Sequence, residues 1–565
     1  MRKLQKNKLI IFILILSIFA VLPFIVGNKT LKLSPSLLAF FPTYSGIIID
    51  VVLYFKAQFF QIVALLLVLF FIGRIIFMDK PEPIPLFKDK RNKKYLITGL
   101  IYILFVILSS IFSSNFDTTL SGVPNSWESL FILISYIVIF LLCINYAYED
   151  KLVTLLIKTM PIVFAIFIAF GFVEFFFVSP LTLLAPQGAE FTNFFEQISM
   201  AFANPNYAAK FLVLFIPIQF YCINESNGIR RYINMSILFG MYFLLLFTGS
   251  TAAIYICLFT TAIIAMIFFK QIIRNIKYII PVLGIILGIS LLITFTTDRD
   301  ILSTILPNNS TSFKAENPFD LASMEIEDNI LKIQGKERSI YISQENNSLI
   351  FQDENSNTID MDKEEKISVS KPSEKGMFTV DLGFQQPIPF VISENNIYAL
   401  GPNGTLIRNI NEQSGFGFEN MQSIATSRGY IWRKSLPLVS QTLLLGFGAD
   451  ASTFHIPQND FTGKLLYHGN TTLILDKPHN MYLQTILNTG LLSLLALLAI
   501  FLFYFKSTIN LLKKKNNLSI LISIGILGYL LCGLFYDSSV TVAPLFWALL
   551  GIGVSVNQKS LDTYA

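Results

Sequence analysis

Apolar runs of about 20 residues recur along this chain, and in hydrocarbon a run of that length satisfies its own backbone N–H and C=O groups only by forming a helix. Segments near 8–27, 57–77, 95–113, 127–147, 152–178, 207–223, 231–248, 252–270, 277–296, 480–505, 517–535 and 540–556 qualify. The sequence therefore predicts an all-α polytopic membrane protein of about 12 transmembrane helices. A hydrophobic content of 53% against 14% charged residues places the chain well away from soluble domains.

The charges that remain set an expected orientation. Arg2, Lys3, Lys6 and Lys8, the stretch from Lys88 to Lys94, Arg230 and Arg231, the stretch from Lys270 to Lys277, and Lys513 to Lys515 fall on one side if the segments alternate. Basic loops favour the cytoplasm, so both termini, including the tail 557–565, are expected inside, in a multi-pass protein of the cytoplasmic membrane. The basic N-terminus is not followed by a small-residue cleavage site after Leu22-Pro23, which favours an uncleaved first helix. A net charge of +5 spread over short loops gives no nucleic-acid footprint. Cys143, Cys222, Cys257 and Cys532 lie in apolar runs, which suggests neither a disulfide framework nor a cysteine metal site.

Residues 1–296 then hold nine spans and 480–556 three, separated by an extracytoplasmic stretch, 297–479, too long and too polar for a connector. Short alternating runs within it, such as K-I-S-V-S (366–370) and N-I-Y-A-L (396–400), are punctuated by S-E-K-G and G-P-N-G, as expected of an antiparallel β meander of six to nine strands over about 320–412. Fifteen Asp and Glu against seven Lys and Arg between Asp320 and Glu394 mark a water-soluble, acidic insert. Its pattern fits a spacer, a glycan surface or a docking surface equally. Beyond it, apolar residues at helical spacing predict a helix over about 420–445, with Arg428 and Trp432 on one face and Arg433 and Lys434 nearby.

All three histidines, His455, His468 and His479, lie after that helix, and only His479 sits at the mouth of an apolar span. R-x-x-x-W (428–432), Pro437, L-G-x-G-x-x-x-x-x-F (445–454) and H-N-x-Y-L-Q-x-x-x-x-x-G-L (479–491) follow in order, and F-A-N-P-N-Y-A-A (202–209) precedes the sixth span. This set resembles the O-antigen ligase and O-antigen polymerase superfamily over roughly 130–550, apart from the insert. The resemblance implies a C-type glycosyltransferase architecture. It also implies metal-independent transfer of glycan from an undecaprenyl pyrophosphate carrier to an acceptor hydroxyl on the outer membrane face, without a cofactor, as in surface polysaccharide biosynthesis of the cell envelope. One departure stands out: T-G-S-T-A (248–252) places Thr251 where the family often has an arginine.

On that reading Arg428 is the expected pyrophosphate ligand, because a guanidinium presents a fork of donors to phosphate oxygens. His479 is expected to orient or accept the acceptor's hydroxyl proton, a task suited to an imidazole near neutral pH. Asn480 suits the helix N-cap. Asn204 and Asn206 fit either N-capping or hydrogen bonding to an anion at a helix start. Lys210, Trp432, Arg433, Tyr482 and Gln484 complete the candidate substrate-binding set, with plain packing or solvated roles the simpler alternative for each. His455 and His468 are expected at the surface. Glu174, costly in lipid, should face a cavity or a partner.

The expected activity is transfer or polymerisation of glycan, proceeding with inversion in one displacement, onto an acceptor glycan, lipid or protein. The alternative from another class is a flippase or transporter of lipid-linked glycans, which predicts intramembrane charges along a pathway and internal repeats. Polymerase and ligase differ in their acceptor, which the motif does not specify.

Overall fold

The computed structural model describes residues 2–33, 35–38, 47–77, 89–147, 150–177, 179–184, 197–274, 319–345, 348–401, 404–411, 415–512 and 516–563. Within these, the chain is mostly helical with a separate β region. Seven helices are long and apolar enough to cross a membrane: Leu53–Ile76, Lys90–Ile111, Leu152–Phe176, Pro205–Asn224, Ile229–Phe247, Thr251–Arg274 and Leu491–Leu512. The shorter apolar helices Leu9–Ala20, Leu130–Tyr146 and Asn517–Cys532, together with Ala543–Thr563, pack among them. The expected span 277–296 lies outside the described residues.

Pro205–Asn224 is the inner helix of the bundle, 83% of its apolar window being buried by its neighbours. Its start follows from local chemistry. Asn204 adopts an extended conformation and its side chain accepts the Asn206 N–H at 2.8 Å, while Pro205 occupies the first turn, where a missing N–H costs nothing.

The apolar run 480–505, expected as one span, is divided. A nine-residue helix, Met481–Thr489, ends at Gly490, and Leu491–Leu512 begins anew. Gly490 has φ +90, and a Cβ there would lie 2.6 Å from the Leu444 carbonyl oxygen. The L-G-F-G segment makes the break: a Cβ on Gly446 would sit 2.1 Å from the Asn488 carbonyl carbon, and the Phe447 and Gly448 N–H groups donate to the Leu487 and Asn488 carbonyls. The glycine motif thus caps the short helix by close backbone approach.

The β region holds two antiparallel meanders. Leu321–Glu327, Ile330–Gly335, Ser339–Glu345 and Ser348–Gln352 pair in chain order, as do Ser368–Val369, Met377–Asp381, Ile388–Ser393, Asn396–Leu400 and Leu406–Ile407. The stretch M-E-I-E-D-N-I-L-K-I (324–333) is a hairpin, turned by Asp328 and Asn329, both at positive φ (49 and 63). Both meanders face one core containing Met324, Leu331, Ile340, Val380, Phe390 and Ile397. Phe461 and Leu465 of the helix Phe461–His468 complete that core and join the β region to the segments over the bundle.

The helix expected over 420–445 is shorter. Ala425, Thr426 and Ser427 form a left-handed turn with φ of 52, 58 and 64, regular helix follows to Ser435, and Pro437 opens a 3-10 turn, Leu436–Gln441. Ala-Thr-Ser carries no glycine to announce a left-handed turn.

Candidate active site

The helix starts at Asn204, Leu130 and Met481, the turn 248–251 and the linker between Asn517–Cys532 and Ala543–Thr563 meet at one end of the bundle. The linker, F-Y-D-S-S (535–539), is the hub. His479 has φ 49 and its Nδ1 lies 2.8 Å from Oδ2 of Asp537, whose side chain is 2% exposed. Asn480 fixes the approach: its Oδ1 accepts the Tyr482 and Leu483 N–H groups, its Nδ2 donates to the Leu534 carbonyl at 2.9 Å, and the Met481 N–H donates to the Gly533 carbonyl at 2.7 Å. The helix that carries His479 and the linker that carries Asp537 are therefore tied together at both ends of the pair.

Arg428 arrives from above the same linker. Its guanidinium lies 5.2 Å over the Tyr536 ring, and its Nη1 donates to the Ala425 carbonyl and the Thr426 hydroxyl, both at 3.0 Å. Trp432, on the same face, packs against Phe418 and, at 6.2 Å between ring centres, Phe535. The Nε of Arg428, the indole N–H of Trp432 and Oδ1 of Asp537 are buried and, among the described residues, unpartnered. Buried polar groups of this kind are normally satisfied, so the cluster offers bonds to something it does not itself contain.

The N-P-N segment reaches the linker from the other side. The Ser250 hydroxyl donates to Oδ1 of Asn206 at 2.6 Å and lies 2.8 Å from the Tyr536 hydroxyl, which also accepts the Ala253 N–H. Lys210, buried, donates to the Asp537 carbonyl at 3.1 Å with its ammonium 4.0 Å from the Tyr529 ring centre. Asn204 acts as the N-cap described above. Thr251 is exposed, next to Ser250 at the start of its helix. Glu174, half-buried, accepts the Ser199 and Met200 N–H groups and so holds the turn before the N-P-N segment.

Other expected site residues sit apart from the linker's charged groups. Arg433 pairs with Glu419 at 2.6 Å and donates to the Gly417 carbonyl, and Lys434 pairs with Asp460 at 2.7 Å in a buried position. The Tyr482 hydroxyl donates to the Leu530 carbonyl at 2.8 Å, a helix-to-helix tie. Gln484 is 4% exposed and bonds to Glu128 and Ser538. His455 and His468, expected at the surface, are half-buried: His455 stacks on Phe447 at 3.7 Å, and His468 packs edge-on to Tyr430. Burial, with His479 and Lys464 nearby, pushes the His468 pKa down to about 4 and leaves that ring neutral.

Asp537, Tyr536 and Lys477 escaped the sequence reading. Asp537 is the lone carboxylate in the F-Y-D-S-S linker between two apolar runs, which is a usable signal. Lys477, two residues before His479, donates to the Asn125 carbonyl at 2.6 Å. Burial lowers its proton affinity, but Tyr207, Asp476, Asp537 and Asp450 more than reverse that and keep it a cation. Burial also raises the Asp537 carboxyl, and His479, Lys477 and Arg428 together outweigh the effect and hold it below the usual carboxylate range. Burial likewise lowers the Arg428 pKa, opposed by Tyr536, Asp537 and Tyr207. An imidazole with one nitrogen fixed by a carboxylate, beside cations with unmet donors, can accept a proton at its other nitrogen while an anion is held close by.

Residues 391–498 match a protein family described as O-antigen ligase. The matched stretch contains Arg428, the L-G-F-G segment and His479, and ends before Asp537. No curated protein matches the chain.

Proposed function

We propose that this chain, whose residues 391–498 are an O-antigen ligase domain, is a membrane glycosyltransferase that passes glycan from an undecaprenyl pyrophosphate carrier to an acceptor hydroxyl on the outer face of the cytoplasmic membrane. The observation that carries this reading is the meeting, on two consecutive linker residues, of Arg428 with Tyr536 and His479 with Asp537. The acceptor oxygen attacks the anomeric carbon and the bond from that carbon to the pyrophosphate oxygen breaks. The hydroxyl proton passes to Nε2 of His479, and the lipid pyrophosphate leaves with its charge held by cations. A single displacement inverts the anomeric centre and requires no metal ion. Asp537 fixes the imidazole tautomer and stabilises the imidazolium that forms, a kind of acid–base help worth roughly 10²–10⁴ in rate.

Arg428 supplies the guanidinium fork to the pyrophosphate, with its buried Nε as one unmet donor. Lys477 and Lys210, both buried around Asp537, take the place of the arginine absent at Thr251. Arg433, held by Glu419, serves the fold of the overlying segment instead. Basic residues at the far ends of the helices orient both termini to the cytoplasm and the β region outward.

The test is reconstitution of the purified protein in liposomes with an undecaprenyl pyrophosphate oligosaccharide and an acceptor. The wild type is expected to transfer glycan and His479→Ala and Arg428→Ala to lose it; full transfer by both folded variants would overturn the reading. A ladder of products identifies a polymerase and a single addition to a non-glycan acceptor a ligase. Movement of the lipid across the bilayer without transfer would instead establish the flippase.

A further inference from the structure

Behind the His479–Asp537 pair lies a carboxylate that the transfer chemistry does not use. Glu128 is 2% exposed and sits just before the helix Leu130–Tyr146. One oxygen, Oε1, accepts the Ser538 hydroxyl at 2.6 Å and the Tyr136 hydroxyl at 2.8 Å; the other, Oε2, accepts the Gln484 side-chain N–H at 3.1 Å. Ser538 is the neighbour of Asp537 in the linker, and Gln484 lies on the short helix that begins beside His479. The loop closes on itself, because the Ser538 N–H donates to Oε1 of Gln484 at 2.7 Å. Glu128 is itself fixed: its backbone N–H donates to Asp450 at 2.9 Å, and Asp450 also accepts the Val123 N–H and the Ser126 hydroxyl. Asp450 belongs to the L-G-F-G-A-D segment that ends the short helix, so both ends of that helix are tied to one stretch, 123–128.

The cavity beside Glu128, bounded also by Tyr102, Tyr136, Gln484, Ser538 and Trp547, measures about 40 Å³. That is room for a few waters. Glu128, buried and bonded through both oxygens, is placed to hold its neighbours. We propose that Glu128 is a positioning residue for glycan transfer: it bridges the helix that presents His479 to the linker that presents Asp537 and so sets the contact between them. The inference rests on the transfer reading above for its kinetic consequence and on the hydrogen bonds alone for its structural one.

The geometry discriminates among substitutions. Glu128→Gln keeps an oxygen for Ser538 and Tyr136 but turns an NH₂ toward the NH₂ of Gln484, which breaks one arm. Ser538→Ala removes the linker arm and changes no charge. In both, the Asp537 carboxylate is less firmly held against the imidazole, so the contact between Oδ2 of Asp537 and Nδ1 of His479 is expected to weaken. The charged and titratable groups facing the pair are Arg428, Lys477, Lys210, His468, Tyr207 and Tyr536; Ser538→Ala changes the charge beside none of them, whereas Glu128→Gln also removes a charge that acts on Lys210 and Tyr207, and Asp450 and Tyr136 face Glu128 itself.

Because the chain has three histidines, ¹⁵N-histidine NMR of the full-length protein in nanodiscs resolves His479 once His479→Ala assigns it. The expected result at fixed pH is a shifted Nδ1 resonance for His479 in Glu128→Gln and Ser538→Ala, the mark of a weakened bond to Asp537. In the liposome assay, kcat is expected to fall about tenfold or more with the donor KM nearly constant. An unmoved Nδ1 resonance in both folded variants overturns the proposal, as does a donor KM that rises as far as kcat falls. If His479→Ala transfers as well as wild type, the transfer reading fails instead, and the Nδ1 resonance still decides whether Glu128 sets the contact.

Discussion

His479 and Asp537 are 58 residues apart and meet at 2.8 Å, with the carboxylate buried and the imidazole partly exposed. Removing the carboxylate leaves the imidazole without an orienting partner. Asp537→Ala is expected to lower kcat by about 10²–10⁴, while Asp537→Asn, whose carbonyl still accepts the Nδ1–H but carries no charge, should fall between it and wild type. Steady-state rates in liposomes decide this, and equal losses for the two variants would show that the bond's geometry contributes nothing beyond its charge.

The same pair has a defined pH dependence. Burial raises the Asp537 carboxyl but His479, Lys477 and Arg428 hold it below its ordinary value of about 3.9. A carboxylate depressed in the folded state contributes its stabilisation fully above the unfolded value and loses it as the pH falls through the folded one. The stability difference between wild type and Asp537→Asn should therefore be constant from pH 7 to about pH 5 and shrink only below about pH 4. Thermal unfolding in detergent at a series of pH values measures it. A difference that already fades at pH 6 would mean that the carboxylate is not held by these cations.

Lys434 illustrates what the chain alone does not reveal. Six residues beyond Arg428, it is a basic residue near the expected phosphate ligand, yet it is 2% exposed and bound to Asp460, which also caps the helix Phe461–His468. Removing one partner of a buried ion pair typically costs about 3–5 kcal/mol. Lys434→Ala is thus expected to lower the melting temperature and the folded yield, with the donor KM of the remaining folded protein little changed. A raised KM at unchanged stability would restore Lys434 to the substrate site.

Local periodicity made the helices and strands legible, and a motif with few histidines made Arg428 and His479 legible. The rest depended on partners far along the chain. Nothing in F-Y-D-S-S announces that Asp537 faces His479, and nothing in N-S-W-E-S announces that Glu128 joins Gln484 to Ser538, because those relations arise only when the bundle closes. The division of 480–505 was hidden for a different reason. Apolar residues continue through Gly490, and the break is imposed by the backbone of Leu444 to Gly448 lying against it.

Thr251 supplies a gain-of-function test. It is exposed beside Ser250, which bonds Asn206 and meets Tyr536, so a long side chain there starts next to the residues that surround the linker. In Thr251→Arg, the donor KM is expected to fall by roughly three- to tenfold, in line with a partly solvated charge-assisted bond to phosphate. Competition by inorganic pyrophosphate should strengthen in parallel. An unchanged KM would place the pyrophosphate away from the Thr251 helix start and toward Lys477.

The glycine segment 445–448 predicts a loss of activity at a distance. A Cβ on Gly446 would lie 2.1 Å from the Asn488 carbonyl carbon and 2.2 Å from the Thr489 nitrogen, contacts with backbone that no rotamer change relieves. Gly446→Ala must therefore push the 445–448 segment off the end of the Met481–Thr489 helix. That displacement breaks the bonds from the Phe447 and Gly448 N–H groups to the Leu487 and Asn488 carbonyls, and with them the bond from the Ser452 N–H to Asn488 Oδ1. The helix is short, and its other end begins beside His479, so freeing one end loosens the His479 ring and its bond to Asp537 at the other. Gly446→Ala is expected to reduce kcat by about tenfold or more while the β region, whose core shares no residue with this contact, keeps its protease resistance. Limited proteolysis beside the transfer assay checks both halves. A fully active Gly446→Ala would show that the short helix holds His479 in place without its glycine cap.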